Sequence, residues 1–454
     1  MKCFLIKPAC CVKGEISLLG DKSIAHRAII LSALTSGRTR IDNFPANQDC
    51  LFTAKAFEQL GVKITYNFSK HTSETGNIIV SGVGIQGLIK PRGAIFAGDS
   101  GTTLRVILGV LSGQNFSVHL SAGKFLSKRP MKRVIFPLRM MGAKISAKTK
   151  GQNKKIEEYP PIIIRGGALK SITYKMSVAS AQVKSAILLA GLYAKGTTRV
   201  IEKFKTRDHT ERMLKLFKAD IKTANNTVSL TAGKNLVSPG KIYVPGDISS
   251  ASFFMVLAAV SDASRIIIKN VSINPTRSGI INVLKRMGAD IKIICRDPAK
   301  AGSVISSEPM GDIEIKNSKL IGTIIRKEEI PSLIDELPVL MVAACFAKGR
   351  TILEGVGELR LKETDRIKSM SVNLAKMGAD ISIINKAKNE NVVIRGTGRL
   401  NGAKVQSFSD HRTAMSMIVA GLCSKGVTKI DDISCIKKSF PNFIKILNRI
   451  VKYS

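Results

Sequence analysis

Six stretches of the chain share one pattern of polar and apolar positions. Each has a small polar start, then a run apolar on every side, then in most cases a glycine. They are GDKSIAHRAIILSALTSG from Gly20, GDSGTTLRVILGVLSG from Gly98, ASAQVKSAILLAGLYAKG from Ala179, GDISSASFFMVLAAV from Gly246, IDELPVLMVAACFAKG from Ile334 and SDHRTAMSMIVAGLCSKG from Ser409. A helix apolar all round has to be buried, so each stretch predicts a core helix. A β-branched strand follows, as in TRIDNF (39–44), TTRVIEK (197–203) or RTILEGV (350–356). Then comes an amphipathic helix. Four of these second helices close on LGVKI (60–64), MGAKI (141–145), MGADI (287–291) and MGADI (377–381), and Lys218-Ala219-Asp220 takes the same place in the third copy. Glycine just past an apolar-periodic run stops a helix. The residues after it read as strands. The chain is therefore expected to be six copies of a unit of roughly 75 residues, in an α/β architecture with sheets outside buried helices.

Composition narrows the class. The 454 residues are 44% hydrophobic and 23% charged, which excludes wholesale disorder. Two to four domains are expected at roughly 100–200 residues each. No apolar run approaches the roughly 20 residues of a spanning helix, and the N-terminal apolar stretch is cut by Lys7 and Pro8. A cytoplasmic protein without membrane contact is expected. Eight cysteines contain no CxxC pair, and Cys345 and Cys423 lie in apolar runs where a small buried thiol fits. The five histidines show no zinc spacing, so no metal is expected.

Lysine and arginine number 71 against 33 acids, a formal charge of +38. The cations are spread along the chain, with 148–155 the only dense patch. Aromatics are 5% and Trp is absent, a poor stacking platform for nucleic acid. A cleft for small polyanions is the alternative.

The polar residues of the core helices gather at their N-terminal ends, where unpaired N–H groups favour anions. Lys22-Ser23 open the first, and Arg27 shares a face with Ser23. The second opens with Asp99-Ser100-Gly101-Thr102 and carries Arg105; Gly101 allows a ligand close to the backbone. Ser180-Ala181-Gln182 open the third and Asp410-His411-Arg412 the sixth. The loops into the second helices are basic: Lys128-Arg129, Arg207, Arg277, Lys362 with Arg366, and Lys437-Lys438. Lys362 and Arg366, four apart, are expected to grip one anion from one helix face. Cations at positive helix ends cost energy, and an anionic ligand removes that conflict. Asp335 starts the fifth core helix and Glu363 lies among cations; each reads either as a salt-bridge partner or as a general acid or base.

GDKSIAHRA (20–28), GDSGTTLR (98–105), KRPM (128–131), SAQVKSA (180–186), TRDHTE (206–211), LKETDR (361–366) and SDHR (409–412) together resemble the 5-enolpyruvylshikimate-3-phosphate synthase family, in its bacterial class with SAQ and TRDHTE segments. The resemblance runs in order from about residue 5 to 445. It implies transfer of the enolpyruvyl group of phosphoenolpyruvate to the 5-hydroxyl of shikimate 3-phosphate through a tetrahedral intermediate. No metal or organic cofactor is implied, and the working form would be a monomer that binds these two small molecules and no nucleic acid. The implied fold is two inside-out α/β barrel domains, each of three βαβαββ-like repeats, with buried helices pointing their N-termini into the cleft between domains. The implied domains are 1–20 with 246–454, and 21–245. Family roles fall on matching residues. Lys22 would meet both substrates. Ser23, Arg27, Ser180, Ala181, Gln182 and Arg207 would hold shikimate 3-phosphate, with Asp335 as base and Lys362 near the 5-hydroxyl. Gly101, Arg129, Gln182, Arg366, Arg412 and Lys438 would surround phosphoenolpyruvate, and Glu363 would move the proton at its methylene carbon.

Asp99 departs from the Asn common in the family, an acid less welcome beside phosphoenolpyruvate unless a neighbour pairs with it. Glu358 stands where some members have an Asn ligand. Gly101 is unsubstituted, which implies glyphosate sensitivity. The sister enolpyruvyl transferase acting on UDP-N-acetylglucosamine commonly uses a loop cysteine, and no cysteine lies between Cys50 and Cys295. A non-catalytic basic repeat protein binding nucleic acid would leave Asp335 and Glu363 among cations unexplained.

Overall fold

The computed structural model describes residues 3–68, 75–151, 156–296, 306–386 and 389–453. Part of the basic patch at 148–155 lies outside the described residues. The six apolar stretches form the core helices Lys22–Ala33, Gly101–Ser112, Ala181–Gly191, Ile248–Val260, Leu337–Phe346 and His411–Leu422, numbered one to six below. Nearly every residue of the fourth, Ile248 to Ala259, is buried, as its unbroken apolar pattern requires. The second helices are Gln48–Gln59, Lys132–Met140, His209–Leu216, Gly279–Arg286, Arg366–Lys376 and Phe443–Ile450. Each buries one face only.

The chain forms two compact units. One holds the residues up to Leu19 and those from Pro245 onward, apart from a short piece ending at Glu308; the other holds Gly20–Val244 and that piece. The buried apolar side chains separate into two clusters along the same division.

In the Gly20–Val244 unit the sheets repeat one plan. The second reads Ile95–Phe96, Ser117–Ser121, Glu157–Arg165, Lys144–Lys150, with the first pair parallel and the rest antiparallel. The third, Thr173–Lys175, Thr197–Ile201, Thr227–Thr231, Asp220–Ala224, is built the same way. So is the fifth, in the other unit: Ile324–Ile325, Gly349–Leu353, Asn389–Gly396, Asp380–Lys386. A parallel pair needs a crossover, and the core helix supplies it.

The first and fourth sheets exchange one strand. Cys11–Ser17 precedes core helix one, yet pairs in parallel with Arg265–Ser272, which follows core helix four. Lys241–Tyr243 precedes core helix four, yet pairs in parallel with Ser36–Pro45, which follows core helix one. The expectation of six equal copies needs correction at the sixth. Its sheet has three strands, and the antiparallel place beside Thr428–Ile430 is taken by Phe4–Ile6 from the start of the chain. The last strand, Val451–Lys452, joins the fourth sheet on Cys11–Ser17 instead.

Candidate active site

In the Gly20–Val244 unit, the starts of core helices one to three carry most of the expected residues. Asp21 caps the first, accepting from the Ile24 amide at 3.0 Å. Next to it Lys22 Nζ lies 2.9 Å from Asp49 Oδ2 on the following second helix. Arg27, one turn on, is buried, and among the described residues no carboxylate is bonded to it. Its Nε donates to Thr210 Oγ1 at 2.6 Å, its Nη1 to the Ser23 carbonyl at 2.8 Å and its Nη2 to Ser185 Oγ at 2.7 Å. Burial lowers its pKa to about 10, opposed by Glu211, so it stays cationic at neutral pH.

Ser100 caps core helix two by accepting from the Thr103 amide at 3.2 Å. Gly101 follows, close beneath two arginines. A Cβ there would stand 2.8 Å from Arg105 Nη1 and 3.1 Å from Arg129 Nη1. Arg105 Nη1 donates to Gln182 Oε1 at 2.8 Å, and Gln182 Nε2 donates to Thr102 Oγ1 at 3.0 Å, so the second and third helix starts are laced together. Ser180 caps core helix three and Ala181 is its first residue. Asp99 is paired with neighbours. Its Oδ1 accepts the amides of Phe125 at 3.0 Å and Leu126 at 3.1 Å, anchoring the turn Leu126–Lys128 that leads to Arg129.

Below these groups runs a buried chain of hydroxyls. His26 Nδ1 meets Thr53 Oγ1 at 2.6 Å, Thr53 Oγ1 meets Thr103 Oγ1 at 2.7 Å, and Thr103 Oγ1 donates to Ser100 Oγ at 2.7 Å. Burial drives the His26 pKa down to about 3, with Lys22 and Arg27 adding to the effect and Asp49 opposing it.

In the other unit, one guanidinium organises the acids. Arg366 is 1% exposed. Its Nε reaches Asp410 Oδ2 at 2.9 Å, its Nη1 Asp335 Oδ1 at 3.2 Å and its Nη2 Glu363 Oε2 at 2.5 Å. Burial alone would lower its pKa, but Asp410, Glu363 and Asp335 outweigh that and raise it. Arg412 adds a bond from Nη1 to the Asp335 carbonyl at 3.0 Å. Asp410 also caps core helix six, accepting the Arg412 amide at 2.7 Å. The expectation that Lys362 and Arg366 share a helix face is corrected here. Arg366 is the first residue of its helix, and Lys362 lies outside it, at the end of the turn Val356–Leu361. The reason is Asp365, whose side chain caps the helix by accepting from Lys368 N. Lys438 closes the turn Ser434–Lys438, which packs on core helix six. Asp335 stands just ahead of core helix five, whose N-cap is Glu336.

Several residues in these networks were not singled out from the sequence. Buried Glu336 is one, accepting at 2.7 Å from Nη1 of Arg277, which the basic loops had marked. Lys184, 1% exposed, meets Glu202 at 3.0 Å and Glu211 at 2.6 Å. Lys184 lies four residues after the N-cap Ser180, near the depth of Arg105, five after the N-cap Ser100, and a cation inside an apolar run was the one available signal. Among the described residues, Asp208, His209 and Glu308 bring three possible metal-ligand atoms within 4.8 Å of one another. That cluster already holds cationic Arg212, whose Nε is 2.8 Å from Asp208 Oδ2 and 4.0 Å from Glu308 Oε2.

The profile of EPSP synthase (3-phosphoshikimate 1-carboxyvinyltransferase) matches residues 6–447. The chain belongs to the EPSP synthase family. A 3-phosphoshikimate 1-carboxyvinyltransferase of Petrotoga mobilis is 45% identical over 441 residues, covering 97% of both chains. One from Geobacter sp. strain M21 is 43% identical over 452 residues and covers all of both. A solved EPSP synthase from Acinetobacter baumannii superposes with a TM-score of 0.84 at 41% identity, over 99% of this chain and 98% of that one. Among the described residues no helix is long and apolar enough to cross a membrane.

Proposed function

We propose that the chain transfers the enolpyruvyl group of phosphoenolpyruvate to the 5-hydroxyl of shikimate 3-phosphate and releases phosphate, within aromatic amino acid biosynthesis. Family membership supports the reaction. The cluster around Arg366 carries the assignment of residues: two carboxylates, Asp335 and Glu363, are held on one buried guanidinium. Arg412 Nε lies 3.7 Å from Asp335 Oδ1 as well, so two groups able to exchange protons stand beside the cations expected to meet an anionic substrate.

Ser23, Arg27, Ser180, Ala181, Gln182 and Arg207 hold shikimate 3-phosphate, with Lys362 near its ring. Gly101, Arg129, Gln182, Arg366, Arg412 and Lys438 hold phosphoenolpyruvate. Glu363 gives a proton to the methylene carbon while Asp335 takes the 5-hydroxyl proton and the oxygen bonds to the central carbon. The tetrahedral adduct then loses phosphate, which leaves with the hydroxyl proton. Glu363 recovers a proton from the new methyl group, and Lys22 offsets charge on the leaving oxygen. Arginine suits this work because its fork grips phosphate and carboxylate in bidentate fashion.

The test is phosphate release from phosphoenolpyruvate with shikimate 3-phosphate, with UDP-N-acetylglucosamine, and with no acceptor. Release is expected only with the first. Lys22→Ala and Glu363→Ala should each lower kcat by about 100-fold or more with little change in melting temperature. Release with the nucleotide sugar would overturn the reading, and near-normal turnover by either variant would overturn that residue's role.

A further inference from the structure

We propose that Lys184 is a positioning residue that sets where Arg207 and Arg27 stand for the phosphate of the acceptor. This rests on the assignment of both arginines to shikimate 3-phosphate.

Lys184 lies in the first turns of core helix three, almost fully buried. Its ammonium has three donors and finds three acceptors: Glu202 Oε2 at 3.0 Å, Glu211 Oε1 at 2.6 Å and the Thr206 carbonyl at 3.3 Å. Glu202 and Glu211 flank the loop between strand Thr197–Ile201 and helix His209–Leu216. The second oxygen of Glu202 accepts the Thr206 amide at 3.0 Å and the Thr206 hydroxyl at 2.5 Å. Thr206 is therefore fixed through its carbonyl, amide and hydroxyl, and Arg207 is the next residue.

A second rung lies beside the first. Ser185, adjacent to Lys184, meets Thr210, adjacent to Glu211, with 2.6 Å between the hydroxyls. Both hydroxyls accept from Arg27. Two successive residues of core helix three thus hold two successive residues of helix His209–Leu216. The same core helix presents Ser180, Ala181 and Gln182 at its start. The distance between that start and Arg207 is set by the ammonium and its carboxylates.

Stability alone does not account for the choice of lysine. A buried ion pair is commonly no better than well-packed apolar groups of equal volume, because desolvation offsets the attraction. Burial in fact pushes the Glu211 carboxyl up, against the pull of Lys184. What charge supplies here is a directional set of bonds that a methionine in the same space lacks.

The test compares Lys184→Met, Lys184→Arg and Thr206→Val with the wild type, titrating each substrate separately. Thr206→Val removes one bond to Glu202 without stranding a buried charge, so it carries the test if Lys184→Met fails to fold. Lys184→Met should raise KM for shikimate 3-phosphate about ten-fold and Thr206→Val about three-fold, with KM for phosphoenolpyruvate and kcat at saturation each within about three-fold of wild type. Lys184→Arg should recover part of the loss. A merely structural lysine would lower apparent kcat through fewer active molecules and leave both KM values alone, and that result overturns the inference. If the wild type releases no phosphate with shikimate 3-phosphate, the site assignment itself falls and takes the inference with it. A working wild type whose variants keep their KM refutes only the role of Lys184.

Discussion

Gly101 is where one added methyl group would touch the candidate phosphate-binding arginines. Its Cβ would press on Arg105, which Gln182 and the Pro130 carbonyl hold in place, and on Arg129. Arg129 is expected to give way, and a shift of a few tenths of an ångström in a phosphate-gripping group is enough to matter. Gly101→Ala should therefore raise KM for phosphoenolpyruvate about ten-fold, with a smaller effect on shikimate 3-phosphate. Wild-type turnover should be inhibited by glyphosate in competition with phosphoenolpyruvate, and the variant should need more of it. Steady-state kinetics with both substrates check this, and an unchanged KM would show that the arginines adapt. His26 gives a prediction in pH. Its folded pKa, about 3, lies below the ordinary 6.5. Between those values the unfolded chain binds the extra proton, so this group's contribution is present above pH 6.5 and is lost as pH falls toward 3, at up to about 1.4 kcal/mol per pH unit. Denaturant titrations at pH 7, 6, 5 and 4 should show a shallower fall for His26→Asn than for wild type. The residues at the helix starts could be read from the chain because family motifs mark them. Glu336, Glu202 and Asp49 could not, because each meets its cation across a long sequence separation and only the folded core brings the two together.

The elements follow local rules closely enough that their number was legible. An apolar run with a polar start became a core helix six times, since burial leaves no other place for it. Acidic caps at Asp21, Asp247 and Asp410 lie at the positive helix ends, where they offset the dipole that the cations oppose. The C-terminal stops are equally regular. Gly61, Gly142, Gly288 and Gly378 have φ between 86° and 112°, and Lys218 takes φ 63° in the third copy. At all five the next residue's amide returns to the carbonyl five residues before it, as from Ala219 to Leu214 at 2.9 Å. A side chain in that left-handed region costs about 1 kcal/mol relative to glycine. Lys218→Gly should thus stabilise its unit by about that amount, as read from the urea midpoint. No gain would mean that the exposed lysine makes contacts offsetting the strain. The incomplete sixth copy was not legible. Phe4–Ile6 carries only a weak strand signal alone, and its partner is at the other end of the chain.

At the scale of the molecule the formal charge of +38 has a kinetic consequence. Many screened cations raise the local concentration of small polyanions, and salt weakens that pull over a Debye length of about 8 Å at physiological strength. Raising KCl from about 0.05 to 0.5 M should increase KM for both substrates several-fold while kcat changes less, and sucrose at equal osmolarity should do neither. A KM indifferent to salt would assign the excess charge to something other than substrate capture. The paired strands at the beginning of the chain carry a different consequence, one of timing. Phe4–Ile6 and Cys11–Ser17 leave the ribosome well before their partners, Thr428–Ile430, Arg265–Ser272 and Val451–Lys452. The Gly20–Val244 unit has nearly all its strands in hand by mid-synthesis, and domains tend to fold as they emerge. The other unit must keep its opening segment waiting, unzipped, until Thr428–Ile430 and Val451–Lys452 have emerged.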